Sequence, residues 1–145
     1  MEISSNGSMF QNPLINNEGQ IVYQCFDYSA ELCRMNNDGS RVIRLTDRKI
    51  IQFATDPEIN KTGKLVFECY KEFSAEFSDI CTVNTDGSGF LTVKLTNDHV
   101  YNFDLNDEGR IVYNCKDGDN LLICIINSDG SGFKELVSGA YPSIN

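Results

Sequence analysis

Six cysteines occupy only two positions of a recurring pattern, so their chemistry depends on that pattern. Cys25, Cys69 and Cys115 each lie six residues after a glycine, and Cys33, Cys81 and Cys124 each lie six residues before another glycine. They could be buried thiols that pack as small apolar side chains, or disulfides between paired strands whose Cα atoms lie about 5.5 Å apart. A zinc site is disfavoured because no Cys-x-x-Cys spacing occurs. We expect buried free thiols, with a disulfide inside each repeat unit as the alternative.

Other side chains give little support for catalysis. His99 is the single histidine, and no Gly-x-Ser-x-Gly sequence is present. Spacing therefore indicates neither a nucleophile nor a base to activate it. No helix is evident for a glycine-rich phosphate loop to precede. We expect a protein that is not an enzyme, with no catalytic residue and no cofactor.

The Asp-Gly pairs invite a metal interpretation, because residues 84–89 read Asn-Thr-Asp-Gly-Ser-Gly. A calcium-binding EF-hand loop ends on a glutamate at its twelfth position, and Leu95 stands there instead. The alternative is that each aspartate caps its own turn by hydrogen bonds to the backbone. We therefore expect no metal and a structural turn role for these residues: Asp38, Gly39, Asp86, Gly87, Asp129 and Gly130.

The charge of the chain argues against a nucleic-acid partner. The net charge is −9 and the isoelectric point is near 4.4, whereas nucleic-acid binding requires a basic surface. No run of about 18 apolar residues predicts a membrane span. Acidic residues crowd the third repeat, at Asp104, Asp107, Glu108, Asp117 and Asp119. They form either an ordinary soluble surface or a patch that attracts a basic partner.

The cysteines and turns belong to a sequence repeat. The Asp-Gly motif occurs within residues 36–40, 84–90 and 127–133, and each copy lies between two apolar runs. A second marker of the form Gly-x-Ile/Leu-Val-Tyr/Phe begins at Gly19, Gly63 and Gly109, spaced 44 and 46 residues apart. Because glycine adopts positive φ at no steric cost, Asp-Gly between apolar runs predicts a β-hairpin.

One unit contains four predicted strands: a Pro/Ile/Asn segment, the Ile-Val-Tyr strand, the cysteine-bearing strand and the strand after Asp-Gly. Four strands per repeat of about 40–50 residues are typical of β-propeller blades. The Ile-Val-Tyr strands are apolar on both faces, which indicates a sheet covered on both sides. The predicted fold is all-β, with three four-stranded antiparallel repeats stacked as propeller blades.

The motifs Pro-x-Ile-Asn, x-Gly-x-Ile-Val-Tyr, Ile-x-x-x-Asn-x-Asp-Gly and a closing Leu-Thr resemble the repeat of TolB-type β-propellers. The same repeat is found in the propeller domains of prolyl-oligopeptidase-like peptidases, which keep catalysis in a separate domain. The resemblance covers roughly residues 12–145. It implies a propeller fold, a role as an interaction scaffold and a periplasmic or extracellular location. Six reduced cysteines would instead suit the cytoplasm.

The repeat predicts a single domain divided into blades. Residues 12–55, 56–101 and 102–139 form blades 1, 2 and 3, and residues 140–145 form the first strand of a further blade. Residues 1–11 are either part of a preceding blade or an N-terminal remnant, and they lack the features of a secretory signal. Residues 71–79 form an enlarged hairpin in blade 2, in which we expect Phe73 and Phe77 to pack inward.

Three blades do not close a ring, because closed propellers have about four to eight. We expect either two copies that complete a six-bladed ring or a longer chain. The expected function is protein–protein binding through the ring faces and loops. One alternative is small-ligand or carbohydrate binding in a central channel lined by the strands of Asn16, Asn60, Asn106 and Asn145. The other is the non-catalytic propeller portion of a larger hydrolase.

Overall fold

The computed structural model describes residues 13–26, 30–47, 49–51, 53–72, 77–94, 100 and 102–145. These residues form twelve β-strands and contain no helix. No described segment is therefore a helix of the length and apolarity needed to cross a membrane. The predicted residues 1–11, together with Phe73 and His99, lie outside the described part.

The strands form three four-stranded antiparallel sheets in chain order, as predicted. Blade 1 contains β1 (Leu14–Ile15), β2 (Gln20–Phe26), β3 (Ala30–Asn36) and β4 (Ile43–Arg44). Blade 2 contains β5 (Phe53–Ile59), β6 (Lys64–Tyr70), β7 (Asp79–Asn84) and β8 (Leu91–Lys94). Blade 3 contains β9 (Phe103–Leu105), β10 (Arg110–Asp117), β11 (Asn120–Asn127) and β12 (Lys134–Ser138). A parallel bridge between Ala30 and Phe53 joins blades 1 and 2 into one continuous sheet.

Blade 2 begins earlier in the chain than the sequence suggested. β5 starts at Phe53, ahead of the predicted boundary at residue 56, and its pairing with β6 shifts register between Thr55 and Glu58. This bulge places Asp56 at a φ of 48° and accommodates Pro57, which has no N–H to donate to the ladder. The positive φ recurs at Asn102 (52°) and Tyr141 (56°), at the matching positions of the next repeats. The proline marker thus lies inside the strand and not at its start.

Each blade has two apolar faces, because successive side chains of a strand point to opposite sides. We call the face toward the following blade the forward face. It is formed by Val22, Leu32 and Leu45 in blade 1, by Val66, Ile80 and Val93 in blade 2, and by Val112, Ile123 and Leu136 in blade 3. We call the opposite side the back face. It is formed by Ile21, Tyr23, Cys33 and Met35, by Leu65, Phe67, Cys81 and Val83, and by Ile111, Tyr113, Cys124 and Ile126.

The core consists of two apolar layers between these blades. The forward face of blade 1 packs on the back face of blade 2, and the forward face of blade 2 packs on the back face of blade 3. Phe67 and Phe90 add a tilted ring contact at 6.5 Å in the first layer. Stacking of this kind buries both sides of the middle sheet, which explains why its central strands are apolar at consecutive positions.

The cysteines form one disulfide in each blade, so the expectation of free thiols was wrong. Cys25 is bonded to Cys33, Cys69 to Cys81 and Cys115 to Cys124, with Cα separations of 5.7, 5.9 and 5.9 Å. In blade 2, Cys69 lies opposite Asp79 and Cys81 lies opposite Phe67, so the bonded pair is diagonal on one face. Diagonal neighbours at this separation satisfy disulfide geometry. All three bonds lie on back faces.

Tyr113 buries its hydroxyl in the second core layer without a hydrogen-bond partner among the described residues. Burial, together with the charge of Glu135, raises the pKa of Tyr113 to about 12. Blade 2 carries Phe67 at the matching position, which shows that the phenyl ring alone fills this place. We therefore expect Tyr113→Phe to raise the free energy of unfolding by about 1 kcal/mol, since it removes an unsatisfied buried group.

Urea denaturation of the variant and the wild type tests this expectation. Tyr23→Phe serves as the matched control, because Tyr23 holds the same position in blade 1 but is partly exposed. A loss of stability in Tyr113→Phe would mean that the hydroxyl has a partner after all.

Candidate functional site

The Asp-Gly turns lie at one end of the blades, which we call the turn side. The backbone N–H of Thr85 donates to Gly63 O at 2.9 Å, and that of Ser128 donates to Gly109 O at 2.8 Å. The turn before each Ile-Val-Tyr strand and the Asp-Gly turn of the same blade therefore lie at the same edge of the sheet. The opposite end, which we call the connection side, carries the β2–β3, β6–β7 and β10–β11 hairpins and the links between blades.

Each Asp-Gly turn is closed by its own polar side chains. In blade 2 the N–H of Asn84 donates to Ser88 O, and Gly87 adopts a φ of 85°, which gives a three-residue loop with glycine in the left-handed region. Asp86 Oδ1 accepts a hydrogen bond from the N–H of Ser88 at 2.9 Å. Asp38 with Ser40 and Asp129 with Ser131 make the same bond at 2.9 Å.

These hydrogen bonds explain the electrostatics of the turns. The serine side chain and N–H hold the pKa of Asp38, Asp86 and Asp129 below the usual carboxyl value. Because one oxygen of each carboxylate is committed inside its own turn, the arrangement stabilises a hairpin and presents no set of ligands. In the described ranges no group of three or more His, Cys, Asp or Glu side chains could hold a metal ion.

Two of the repeated asparagines, Asn60 and Asn106, connect their own turn to the next repeat. Asn60 Oδ1 accepts from the N–H groups of Thr62 and Lys64, and Asn60 Nδ2 donates to Asn106 O at 3.1 Å. Asn106 is bonded in the same way to its own turn and donates to Asn145 O at 3.3 Å. Asn60 and Asn106 are buried. Since these amide groups are already hydrogen-bonded, they are poorly placed to bind a carbohydrate.

A polar residue in the middle of each Ile-Val-Tyr strand is linked to the segment that leads into the next repeat. Gln24 Nε2 donates to Ala54 O at 2.7 Å, and Asn114 Nδ2 donates to Gly139 O at 3.3 Å. In blade 2 the link is indirect: Ser78 Oγ donates to Glu68 and accepts the N–H of Val100. Ala54, Val100 and Gly139 are equivalent, because each lies three residues before one repeat position, which is occupied by Pro57, Phe103 and Pro142. The signal for these residues was present in the sequence as a polar side chain directly before Cys25, Cys69 and Cys115.

An acidic cavity lies on the connection side, where blades 2 and 3 meet. Its volume is about 500 Å³, and it is lined by Asp56, Glu58, Glu68, Tyr70, Val100, Asn102 and Phe103. β5 supplies the first two carboxylates, and the bulge at residues 55–58 turns them toward this junction. The entry to blade 3 supplies Asn102 and Phe103. The sequence placed an acidic patch in the third repeat but did not identify this cavity, because it forms between two blades.

Two carboxylates at the mouth of the cavity remain uncompensated. Asp56 and Glu58 are exposed, and neither has a hydrogen bond or ion pair with another described residue. Partial desolvation raises the pKa of both; Glu68 adds repulsion at Asp56, and Asp104 and Asp56 add repulsion at Glu58. Glu68 differs from them, since it is buried and accepts hydrogen bonds from Thr55 and Ser78. The cavity therefore has unneutralised negative charge at its entrance.

Aromatic rings complete the cavity. Burial, followed by the charge of Glu68, raises the pKa of Tyr70 to about 12, so its hydroxyl is neutral. Phe103 lies at the start of β9 on the other side. Carboxylates beside aromatic rings suit a cationic side chain, which gains from both.

The other predicted features contribute less to this site. The described ends of the enlarged hairpin, residues 71–72 and 77–79, lie on the connection side. Phe77 is 42% exposed, so this ring does not pack inward as fully as predicted. Lys61 and Asp107 form an ion pair between blades 2 and 3 at 2.8 Å, on the turn side. Asp107 is thus part of an interblade contact and not of an open patch.

Comparisons with known proteins support the fold. No protein-family model and no curated protein matches the sequence. A TolB protein of Agrobacterium tumefaciens is similar over 92% of this chain and 53% of its own, with 14% identity and a TM-score of 0.64. A puromycin-hydrolysing peptidase of Mycobacterium tuberculosis is similar over 92% of this chain and 21% of its own, with 9% identity and a TM-score of 0.65.

A third similar structure is the nidogen/laminin complex, with 13% identity and a TM-score of 0.57 over 86% of this chain and 48% of the other. The chain spans about half or less of each of these structures. At such low identity the likeness concerns architecture alone. It confirms the resemblance seen in the repeats: the chain has a TolB-like β-propeller fold.

Proposed function

We propose that the chain is a non-enzymatic β-propeller module that binds a protein partner through its connection side. The acidic cavity is the proposed point of contact, and a lysine or arginine of the partner is the group it receives. The observation that carries the proposal is the pair of uncompensated carboxylates, Asp56 and Glu58, beside Tyr70 and Phe103.

Folding leaves the negative charge of Asp56 and Glu58 unneutralised. The raised pKa values mean that ionised Asp56 and Glu58 cost free energy in the folded chain. A bound cation removes that cost and gains an ion pair with each carboxylate. The net charge of −9 would also attract a basic segment before contact. Protein binding is compatible with the similar fold in the nidogen/laminin structure, which is itself a complex of two proteins.

The test uses a fluorescein-labelled pentapeptide, Gly-Arg-Gly-Lys-Gly, whose binding is followed by anisotropy at low salt. We expect Asp56→Asn with Glu58→Gln to weaken binding about tenfold, because two exposed ion pairs contribute up to about 1 kcal/mol each. Asp117→Asn with Asp119→Asn makes the same change in net charge at an exposed hairpin on the same side and should change binding much less. Equal losses in the two double variants would contradict a specific site.

The same double variant has an opposite expected effect on stability. A carboxyl whose pKa is raised by folding lowers stability as the pH rises through and above its ordinary pKa, since the folded state disfavours the ionised form. Asp56→Asn with Glu58→Gln should therefore melt higher than the wild type at pH 7. The difference should vanish as the pH falls below the ordinary carboxyl pKa, where both groups are protonated in either state. A lower melting temperature at pH 7 would mean that the carboxylates stabilise the fold.

A further inference from the structure

We propose that the forward face of blade 3 is a docking surface for the back face of blade 1 in a second copy of the chain. Two copies joined in this way, head to tail at both junctions, place six blades around a two-fold axis. This interaction surface is separate from the acidic cavity and concerns assembly, not the binding of a basic partner.

The first observation is the exposure of one residue that its equivalents bury. Leu45 and Val93 hold the same repeat position in blades 1 and 2, and they are 4% and 9% exposed because the next blade covers them. Leu136 holds this position in blade 3 and is 53% exposed. The neighbouring Val137 is 60% exposed. Blade 3 thus carries the apolar surface that blades 1 and 2 use for stacking, with its outer part uncovered.

The second observation is a complementary surface on blade 1. The back-face residues Ile21, Tyr23 and Met35 are only partly buried. Their equivalents in blade 2, Leu65, Phe67 and Val83, are fully buried against blade 1, and those in blade 3, Ile111, Tyr113 and Ile126, are at most 3% exposed. Forward face against back face is the contact that the chain already makes twice. The same contact between two copies, made at both junctions, covers the forward face of blade 3 and the back face of blade 1 in each copy.

A segment with the sequence pattern of a first blade strand also lies against the inner edge of blade 3. Residues 142–145 repeat the Pro-x-Ile-Asn pattern. The segment 141–145 is held by Asn106 Nδ2, which donates to Asn145 O, by Asp104, which accepts the N–H of Ile144 at 2.9 Å, and by Asn114, which accepts the N–H of Tyr141. The corresponding β1 of blade 1 pairs with β2 over only two residues. In the docked pair, residues 142–145 take the place of the partner's β1 beside its β2.

Light scattering across a concentration series, from about 1 to 200 µM, tests the proposal on the 145-residue chain. The expected mass is twice 16.3 kDa. Leu136→Lys and Tyr23→Lys should each raise the dimer dissociation constant at least about tenfold, because each places a charge in the apolar contact. Ile50→Lys is the matched control, since Ile50 is also 53% exposed but lies on neither face, and it should leave dimerisation unchanged. Removal of residues 141–145 should weaken the dimer.

Four results would overturn the proposal. These are a wild-type mass of one chain at every concentration, masses that grow beyond two chains, an effect of Leu136→Lys no larger than that of Ile50→Lys, and an unchanged dimer in Tyr23→Lys. The last would indicate contact between two forward faces. Circular dichroism melting of each variant separates loss of association from loss of folding.

Discussion

Replacement of both Cys69 and Cys81 by alanine should lower the free energy of unfolding by about 3 kcal/mol. The bond closes a 12-residue separation across the β6–β7 hairpin, and a loop of that size restricts the unfolded chain by about this amount. The two cysteines are also buried in the core layer between blades 1 and 2, so their sulfur atoms contribute packing there. Guanidinium denaturation without reductant measures the change.

The matched control is the pair Cys25→Ala and Cys33→Ala. This bond spans eight residues and lies on the outer back face of blade 1, where Cys25 is partly exposed. Its removal should cost less, and reductant should open it before the buried bond of blade 2. Equal stability of the wild type with and without reductant would contradict the disulfides.

Asn60→Ala should lower the free energy of unfolding by about 2–4 kcal/mol. The side chain is buried and satisfies two backbone N–H groups of its own turn, and its amide donates to the backbone of blade 3. Alanine removes the acceptor of both turn N–H groups and one of the two hydrogen bonds to Asn106 O, which Gly109 N–H still donates to. Each lost bond costs about 0.5–1.5 kcal/mol. The loss of stability therefore has two sources: the weakened turn and the lost hydrogen bond between blades 2 and 3.

Two further variants separate these contributions. Asn16 caps its turn through Glu18 and Gln20, but its amide donates to the side chain of Gln20 and not to another blade. Asn16→Ala should therefore cost less than Asn60→Ala. Asn60→Asp keeps the acceptor for the turn but turns a carboxylate oxygen toward Asn106 O, so it should also cost more than Asn16→Ala. Equal losses in Asn16→Ala and Asn60→Ala would show that the interblade bond contributes nothing.

The period of the repeat was enough to predict the class of fold. The Gly63-type marker and the Asp86-Gly87 pair repeat at blade spacing, and consecutive apolar residues such as Leu65 and Val66 indicated a sheet covered on both faces. These patterns are formed by residues that are adjacent in the sequence, so they can be recognised without a structure. The bulge at Asp56 was not predictable in the same way, because it depends on how β5 pairs with β6.

The disulfides and the cavity depend on contacts between strands and blades that the sequence alone does not specify. Spacing placed the cysteines on neighbouring strands, but the choice between thiols and disulfides required the register that sets Cys69 diagonal to Cys81. The acidic cavity required the relative placement of two blades, since Asp56 and Phe103 are distant in sequence. The repeated asparagines were identified from the sequence as a set, but the hydrogen bonds of Asn60 and Asn106 to the next repeat required the placement of neighbouring blades.

The three successive sheets have the same internal register, which sets one diagonal cysteine pair in each blade. Mass spectrometry of a proteolytic digest, made without reductant and with free thiols blocked, tests this directly. The structure predicts three linked peptide pairs, joining Cys25 to Cys33, Cys69 to Cys81 and Cys115 to Cys124. Six blocked thiols, or a link between blades such as Cys33 to Cys69, would contradict it.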